Sequence, residues 1–541
     1  MNRATRRSPD IKRQTWSSSL ATHTLRGGRV AHPRLRRSGD KERGLSLDSV
    51  RTGLTFDDVL LVPKYSEVRS RKDVLTRTRL TKNIEINVPL ISANMDTVTE
   101  SEMAITMARE GGIGIIHRFM SLEEEVEQVR RVKRTESIII ESPYSLEESS
   151  SKVRDVLNMM NQRNVGGILI VDGQGKLKGI VTTRDLRFRI EPDLPVTEVM
   201  TKRADLVVAP WRKTSIEQAE QIMERTKIEK LPLVDSSDRL KGLITAKDIL
   251  KRRQSPNATK DSKGRLRVGA AVGVKGDFLE RAKRLHEAEV DALVLDIAHG
   301  HSSHAIEAIR KIKRELREVE LIAGNVATRD GAKDLVKAGA DCVKVGVGSG
   351  SICITRVITG SGVPQLTAIA DCAEVTREYG VTLIADGGIR NSGDITKALV
   401  AGADSVMVGS LFAGTDESPG EIVFRGDYRY KVTRGMASSS ARRDQLAQQT
   451  APPVVASLQE AELGRGETTS DLSDYVPEGV EAIVPYKGSA VTVLRQLVGG
   501  LRSGLSYCGA RNLEELRRNG EFVRMTEVGL TESKPHDVEQ I

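Results

Sequence analysis

The chain has 541 residues, with 83 Lys and Arg against 74 Asp and Glu, and only four cysteines. That length exceeds one ordinary core, although a single barrel absorbs about 250 residues, so a large domain with an insertion or appendage is expected. The formal charge of +9 does not mark a nucleic-acid binder: residues 1–43 alone hold ten Arg and two Lys against Asp10, Asp40 and Glu42, which leaves a neutral body.

Residues 1–43 are rich in Arg and Ser, poor in acids, and lack the apolar run of a secretory signal. They read as a basic, disordered N-terminal extension, with a transit peptide or a start placed too far upstream as alternatives. No stretch of 18 apolar residues occurs, so a soluble body away from the membrane is expected. Cys342, Cys353, Cys372 and Cys508 show neither C-x-x-C nor paired spacing, which argues against zinc and disulfides and fits a reducing cytoplasm.

From Leu54 the sequence alternates β-branched runs with amphipathic stretches. Examples are a strand at Ala292–Asp296, a helix at Ser303–Leu316, a strand at Glu320–Ala323 and a helix at Asp330–Ala338, then strands at Asp341–Val347, Val381–Asp386 and Ser405–Val408. Polar residues gather where these strands end. The repeated unit predicts an α/β fold, a (β/α)8 TIM barrel, in two segments, 44–140 and 253–541. A doubly wound sheet is the alternative, but no strand is followed by G-x-G-x-x-G.

Between the segments lies a repeat. KGIVTTRD at Lys178–Asp185 returns as KGLITAKD at Lys241–Asp248, and Val171-Asp172 returns as Val234-Asp235, both at an offset of 63 (241 − 178, 234 − 171). The repeat resembles a tandem pair of CBS modules, about 141–200 and 201–252, inserted into the barrel. That resemblance implies adenine- or guanine-nucleotide sensing through Thr182, Asp185, Thr245 and Asp248. The two aspartates serve equally well as simple helix caps.

The densest chemical signal is Lys344–Arg356, KVGVGSGSICITR, an apolar strand that becomes a Gly/Ser loop around Cys353. Glycine there lets backbone groups approach a ligand, and a cysteine at the C-terminal end of a barrel strand is placed to act as a thiolate. Ile384–Arg390 (IADGGIR) and Val406–Ser410 (VMVGS) are two further strand ends followed by helices, where phosphates bind in barrels. His299 and His301 sit at i, i+2 on a loop and lack the further ligands of a metal site.

These motifs, G-x-G-S-I-C-x-T-R above all, resemble the IMP dehydrogenase/GMP reductase family over about Leu54–Val538. The resemblance implies oxidation of IMP to XMP with NAD and water in GMP biosynthesis, with Cys353 attacking C2 of the purine. It assigns Ser351, Gly387, Gly388, Gly409 and Ser410 to the phosphate region, Asp386 to the ribose, and Arg434, Gly435 and Met436 to the base. For NAD it implies Asp296, Asn325, Gly346, Val347 and Gly348. For a monovalent cation (K+) it implies Gly348, Gly350 and Cys353 with Glu532, Ser533 and Lys534 of an adjacent subunit, hence a homotetramer. Glu478, in V-P-E-G at Val476–Gly479, matches an acid that works with Thr355 and also borders the substrate.

The chain departs from the family at Thr433 and Ala437, where tyrosine and glycine are usual. On the expected flap, 437–475, the family's Arg-Tyr pair is absent; Arg465, followed by Gly466, is the nearest candidate base. The rival activities are a CBS-containing GMP reductase, which needs no water-activating base, and a non-catalytic purine-nucleotide sensor.

Overall fold

The computed structural model describes residues 50–541 apart from 136–138, 142, 164, 188–190, 248, 251–254, 451–474, 536, 537 and 539–541. Arg465 and Asp248 therefore lie outside the described residues. Eight parallel strands close into a barrel: β1 (Leu90–Ser92), β2 (Ile113–Ile116), β3 (Gly269–Val272), β4 (Ala292–Asp296), β5 (Glu320–Val326), β6 (Cys342–Val345), β7 (Thr382–Asp386) and β8 (Ser405–Val408). The seam joins β8 to β1 through Val406 and Leu90, and β2 to β3 across the inserted segment through Ile115 and Gly269. This is the expected (β/α)8 barrel.

Alternation along each strand explains its uniformly apolar composition. Ile91, Ile113, Ile115, Ala292, Val294, Ile322, Cys342, Ile384 and Met407 fill the barrel. Their neighbours Leu90, Leu293, Leu295, Val343, Leu383 and Val406 point outward and pack under the helices. The inward parity ends in Asp296, Lys344 and Asp386 on three strands, so the polar floor of the site is the top layer of the barrel interior.

The helices start where the sequence supplies caps. Ser302, Thr328 and Asn391 accept hydrogen bonds from Ala305, Gly331 and Asp394 at the starts of Ser303–Glu315, Arg329–Ala338 and Ser392–Val400. The helix after β8 has only four residues, Ser410–Ala413, and the eighth position in the ring is taken by Ala490–Tyr507, which packs on Ser392–Val400 and Ser101–Arg109. Between them runs a three-stranded antiparallel sheet, Ile422–Arg425, Tyr428–Arg434 and Glu481–Pro485, that brings both ends of the 437–475 stretch back over the barrel mouth.

The inserted stretch forms two four-stranded sheets. One orders Thr201–Lys202, Leu177–Thr182, Gly167–Val171 and Ser145–Glu147; the other orders Ala209–Pro210, Lys230–Val234, Leu240–Thr245 and Ile139–Ile140. Hairpin strands and helices in the two halves keep the 63-residue offset (230 − 167, 240 − 177, 216 − 153). The halves exchange edges: Ile139–Ile140, ahead of the first half, pairs with Leu240–Thr245 of the second, while Thr201–Lys202, ahead of the second, pairs with Leu177–Thr182 of the first. Asp185 accepts hydrogen bonds from the Thr182 amide and hydroxyl, both at 2.7 Å, closing a turn over residues 183–186 in which no described helix begins. Among the described residues no helix is long and apolar enough to cross a membrane.

Candidate active site

After β6 the chain turns through Gly346–Cys353 into the short helix Thr355–Thr359. The loop is stitched to the end of β7: Ser349 donates to the Asp386 carbonyl at 3.0 Å, and Gln365 reaches both Val345 O and Asp386 O. On its other edge it meets the segment that follows residue 475. The Ile354 amide donates to Glu478 O at 2.8 Å, and the Val480 amide donates to Ile352 O at 3.0 Å.

That pairing assembles a three-member chain. Cys353 Sγ lies 3.1 Å from Thr355 Oγ1, and the Thr355 hydroxyl donates to Glu478 Oε2 at 2.7 Å. Because the threonine proton is committed to the carboxylate, its oxygen is the acceptor toward sulfur. A proton can therefore leave Cys353 through Thr355 to Glu478. Cys353 is partly exposed, whereas the other three cysteines are buried. Burial pushes the thiols of Cys342 and Cys508 up, and that of Cys372 up to about 12, so none of these is a thiolate near neutral pH.

Two cavities flank the cysteine loop. The smaller, about 180 Å³, is lined by Ser349, Gly350, Ser351, Gly387, Gly388, Gly409 and Ser410, with Thr433 at its edge. The larger, about 370 Å³, contains Cys353, Thr355 and Glu478 together with Asp296, Asn325, Gly346, Val347, Gly348, Gly435 and Met436. Gly350 and Asp386 border both. Asp386 Oδ2 receives Lys344 Nζ at 2.7 Å and Asn325 Nδ2 at 2.9 Å, and Lys344 Nζ also donates to Asn325 Oδ1. Lys344 is only 3% exposed, so a buried ion pair fixes the wall between the cavities.

Arg434 borders neither cavity. Its guanidinium is held by Asp96 at 2.6 Å and Asp444 at 2.7 Å, and the adjoining Gly435 and Met436 line the larger cavity instead. Thr433, in place of the family's tyrosine, instead hydrogen-bonds Thr97 at 3.2 Å. His301 is bonded to Asp334 at 3.0 Å, and among the described residues no group of three or more His, Cys, Asp or Glu is arranged to hold a metal. Glu532, Ser533 and Lys534 are exposed at the end of the helix Glu527–Glu532; Lys534 helps to lower the carboxyl of Asp57, behind an Arg390 hydrogen bond as the main cause.

Sequence reasoning missed several lining groups. Arg118, at the end of β2, donates to Asp296 Oδ2 at 3.0 Å. Arg442 and Tyr475 enter the larger cavity from the two ends of the expected flap, and Lys344 enters it from the barrel interior. Arg118 and Lys344 carried a signal, being charged residues at or within apolar barrel strands.

Comparison with known proteins agrees with this geometry. The IMP dehydrogenase / GMP reductase domain model matches residues 53–536. The inosine-5′-monophosphate dehydrogenase of Nitrosopumilus maritimus is 54% identical over 90% of this chain and 98% of its own length, and that of Bacillus subtilis is 51% identical over 90% and 96%. Among solved structures, a cysteine-to-alanine variant of the GMP reductase of Trypanosoma brucei, bound to guanosine 5′-monophosphate, superposes with a TM-score of 0.79. It is 44% identical and covers 91% of this chain and 99% of its own. With a closed parallel barrel, the cysteine loop on its C-terminal face and these matches over nine-tenths of the sequence, the chain belongs to the IMP dehydrogenase/GMP reductase family.

Proposed function

We propose that this protein oxidises IMP to XMP with NAD+ and water, through an adduct on Cys353. The observation that carries the reading is the Cys353–Thr355–Glu478 chain, which opens into a cavity sharing Asp386 with a glycine- and serine-lined recess. The recess suits a nucleotide phosphate at Ser351, Gly387, Gly388, Gly409 and Ser410. Asp386 presents a carboxylate to the ribose hydroxyls, and Gly435 and Met436 border the base.

Cys353 yields its proton through Thr355 to Glu478, which passes it to solvent before the hydrolytic step, and its sulfur attacks C2 of the purine. Bound NAD+ would supply the hydride acceptor for the C2 hydrogen, and the nucleotide left on the Cys353 sulfur is then released by water, so one hard reaction becomes two easier ones. Asp296, Asn325, Gly346, Val347 and Gly348 face the cofactor side of the same cavity, and the Asp296 carboxylate suits ribose hydroxyls.

Three further assignments belong to the reading. The carbonyls of Gly348, Gly350 and Cys353, with Glu532, Ser533 and Lys534 from an adjacent subunit, hold a monovalent cation, which makes the working form a homotetramer. The paired sheets between 139 and 245 are CBS modules that take adenine or guanine nucleotides near Thr182, Asp185, Thr245 and Asp248. The protein works in the cytoplasm on small molecules, without nucleic acid.

A second reading, reductive deamination of GMP with NADPH, is favoured by the 44% identical reductase structure, and the same cysteine chain would serve it. Absorbance at 340 nm separates the two. Appearance of NADH with IMP and NAD+ is expected; consumption of NADPH with GMP, and no NADH from IMP, would establish the reductase instead.

A further inference from the structure

The proposed reaction closes with water attacking C2 of the nucleotide bound to Cys353. Thr355 and Glu478 account for a proton acceptor, but the water also needs a charge that favours its hydroxide character as that proton leaves. Besides Arg118 and Lys344, which are ion-paired with Asp296 and Asp386, the lining of the 370 Å³ cavity includes two further side chains that no motif assigns, Arg442 on the helix Ser439–Thr450 and Tyr475 ahead of Glu478. Although 33 positions apart (475 − 442), they meet: Arg442 Cζ lies 5.9 Å from the centre of the Tyr475 ring, within cation–π range.

One carbonyl organises the group. Ala437 O accepts the Tyr475 hydroxyl at 2.9 Å and the amides of Glu478 and Gly479 at 3.0 and 3.2 Å, one turn before Arg442. The tyrosine and the catalytic carboxylate thus hang from the same point as the start of the Arg442 helix. Burial, mainly, and the Glu478 charge push the Tyr475 phenol above its usual value while Arg442 opposes them; the phenol stays protonated near neutral pH, spends its proton on Ala437 and leaves its oxygen as an acceptor.

We propose that Arg442, held over the ring of Tyr475, is a catalytic residue of the hydrolytic step, its guanidinium stabilising the attacking water as Thr355 and Glu478 take the proton. The inference rests on the dehydrogenase reading. In the step the water oxygen bonds to C2, and one proton is left on N3 of the base. The other returns through Glu478 and Thr355 to sulfur as the C2–S bond breaks. No oxidant is needed, because the hydride has already gone to NAD+. A fixed positive charge acting on developing negative charge in a partly enclosed site is commonly worth about 10²-fold in rate.

The test is stopped-flow measurement of NADH with IMP and NAD+, with mass analysis of the quenched enzyme, on the full chain. Arg442→Ala should keep a burst of NADH close to one per active site, lose about 100-fold in the steady state, and accumulate the nucleotide on Cys353. Arg442→Lys should recover part of the rate, Tyr475→Phe should be milder, and Arg443→Ala, on the exposed neighbour, should match the unmodified enzyme. Equal loss of burst and steady state in both Arg442 variants overturns the proposal, as does no loss in Arg442→Ala. Adduct accumulation in Arg465→Ala but not in Arg442→Ala overturns it too and gives the role to Arg465. If the unmodified enzyme makes no NADH from IMP, the dehydrogenase reading itself has failed and this inference falls with it.

Discussion

Glu125 offers a quantitative test of the barrel's electrostatics outside the active site. Its side chain is fully buried on the helix Leu122–Thr135; Oε2 meets Arg281 at 2.6 Å, and Oε1 has no hydrogen-bond partner among the described residues. Burial outweighs the arginine and pushes the carboxyl from an ordinary 4.5 up to about 8. Between these values the folded chain keeps a proton that the unfolded chain has released. This contribution to stability is therefore complete below about pH 4.5 and lost as pH rises through 8, at about 1.4 kcal/mol per pH unit. The full swing is at most about 5 kcal/mol. Glu125→Gln should abolish this slope, so that urea unfolding followed by circular dichroism at pH 5, 6, 7 and 8 shows the variant gaining on the wild type as pH climbs. A difference that is flat across the range, or that moves in favour of the wild type at high pH, would refute the burial argument.

Cys353→Ala should abolish NADH formation from IMP while calorimetry still detects IMP, because Asp386, Gly409 and Ser410 stand on other loops; residual turnover above background would exclude the covalent route. Lys344→Met leaves Asp386 Oδ2 with Asn325 alone, and the KM for IMP should rise about 10-fold or more, equivalent to about 1.4 kcal/mol; unchanged steady-state constants would show that the buried ion pair does not orient the carboxylate. Gly346 has φ +153°, and a Cβ there would lie 1.9 Å from the Asp386 carbonyl oxygen, so Gly346→Ala should cost kcat/KM about 10-fold or more with the helical circular dichroism retained; full activity would mean that the loop shifts at little cost.

Much of this architecture was legible because the determining signals are local. The strand Ala292–Asp296 reads from its own short apolar run, and the 63-residue offset of the repeat reappears in the starts of its strands and helices. What was not legible depends on partners distant in sequence. Ile139–Ile140 and Thr201–Lys202 are two residues long, too short for any periodicity, and become strands only because each completes the other half's sheet. The eighth barrel helix was hidden for a related reason. The chain leaves β8 through four helical residues and a three-stranded sheet before Ala490–Tyr507 closes the ring, so the βα rhythm breaks although the spatial order does not.

The site divides along the same line. Cys353, Asp386 and the Gly409–Ser410 turn lie in contiguous motifs whose chemistry follows from composition and position at a strand end. Arg442 and Tyr475 belong to no contiguous motif, and tertiary folding alone brings them together. Lys344 falls between these cases. It interrupts an apolar strand at Cys342–Val345, and parity with Cys342 requires it to point into the barrel. A cation there must meet a carboxylate from a neighbouring strand at the same height, since an unpaired buried charge would cost several kcal/mol. The Lys344↔Ile384 register places Asp386, two residues further along β7 and of the same inward parity, as the nearest acid. The partner could thus have been deduced once the barrel was assumed, and with it the link between the two halves of the site.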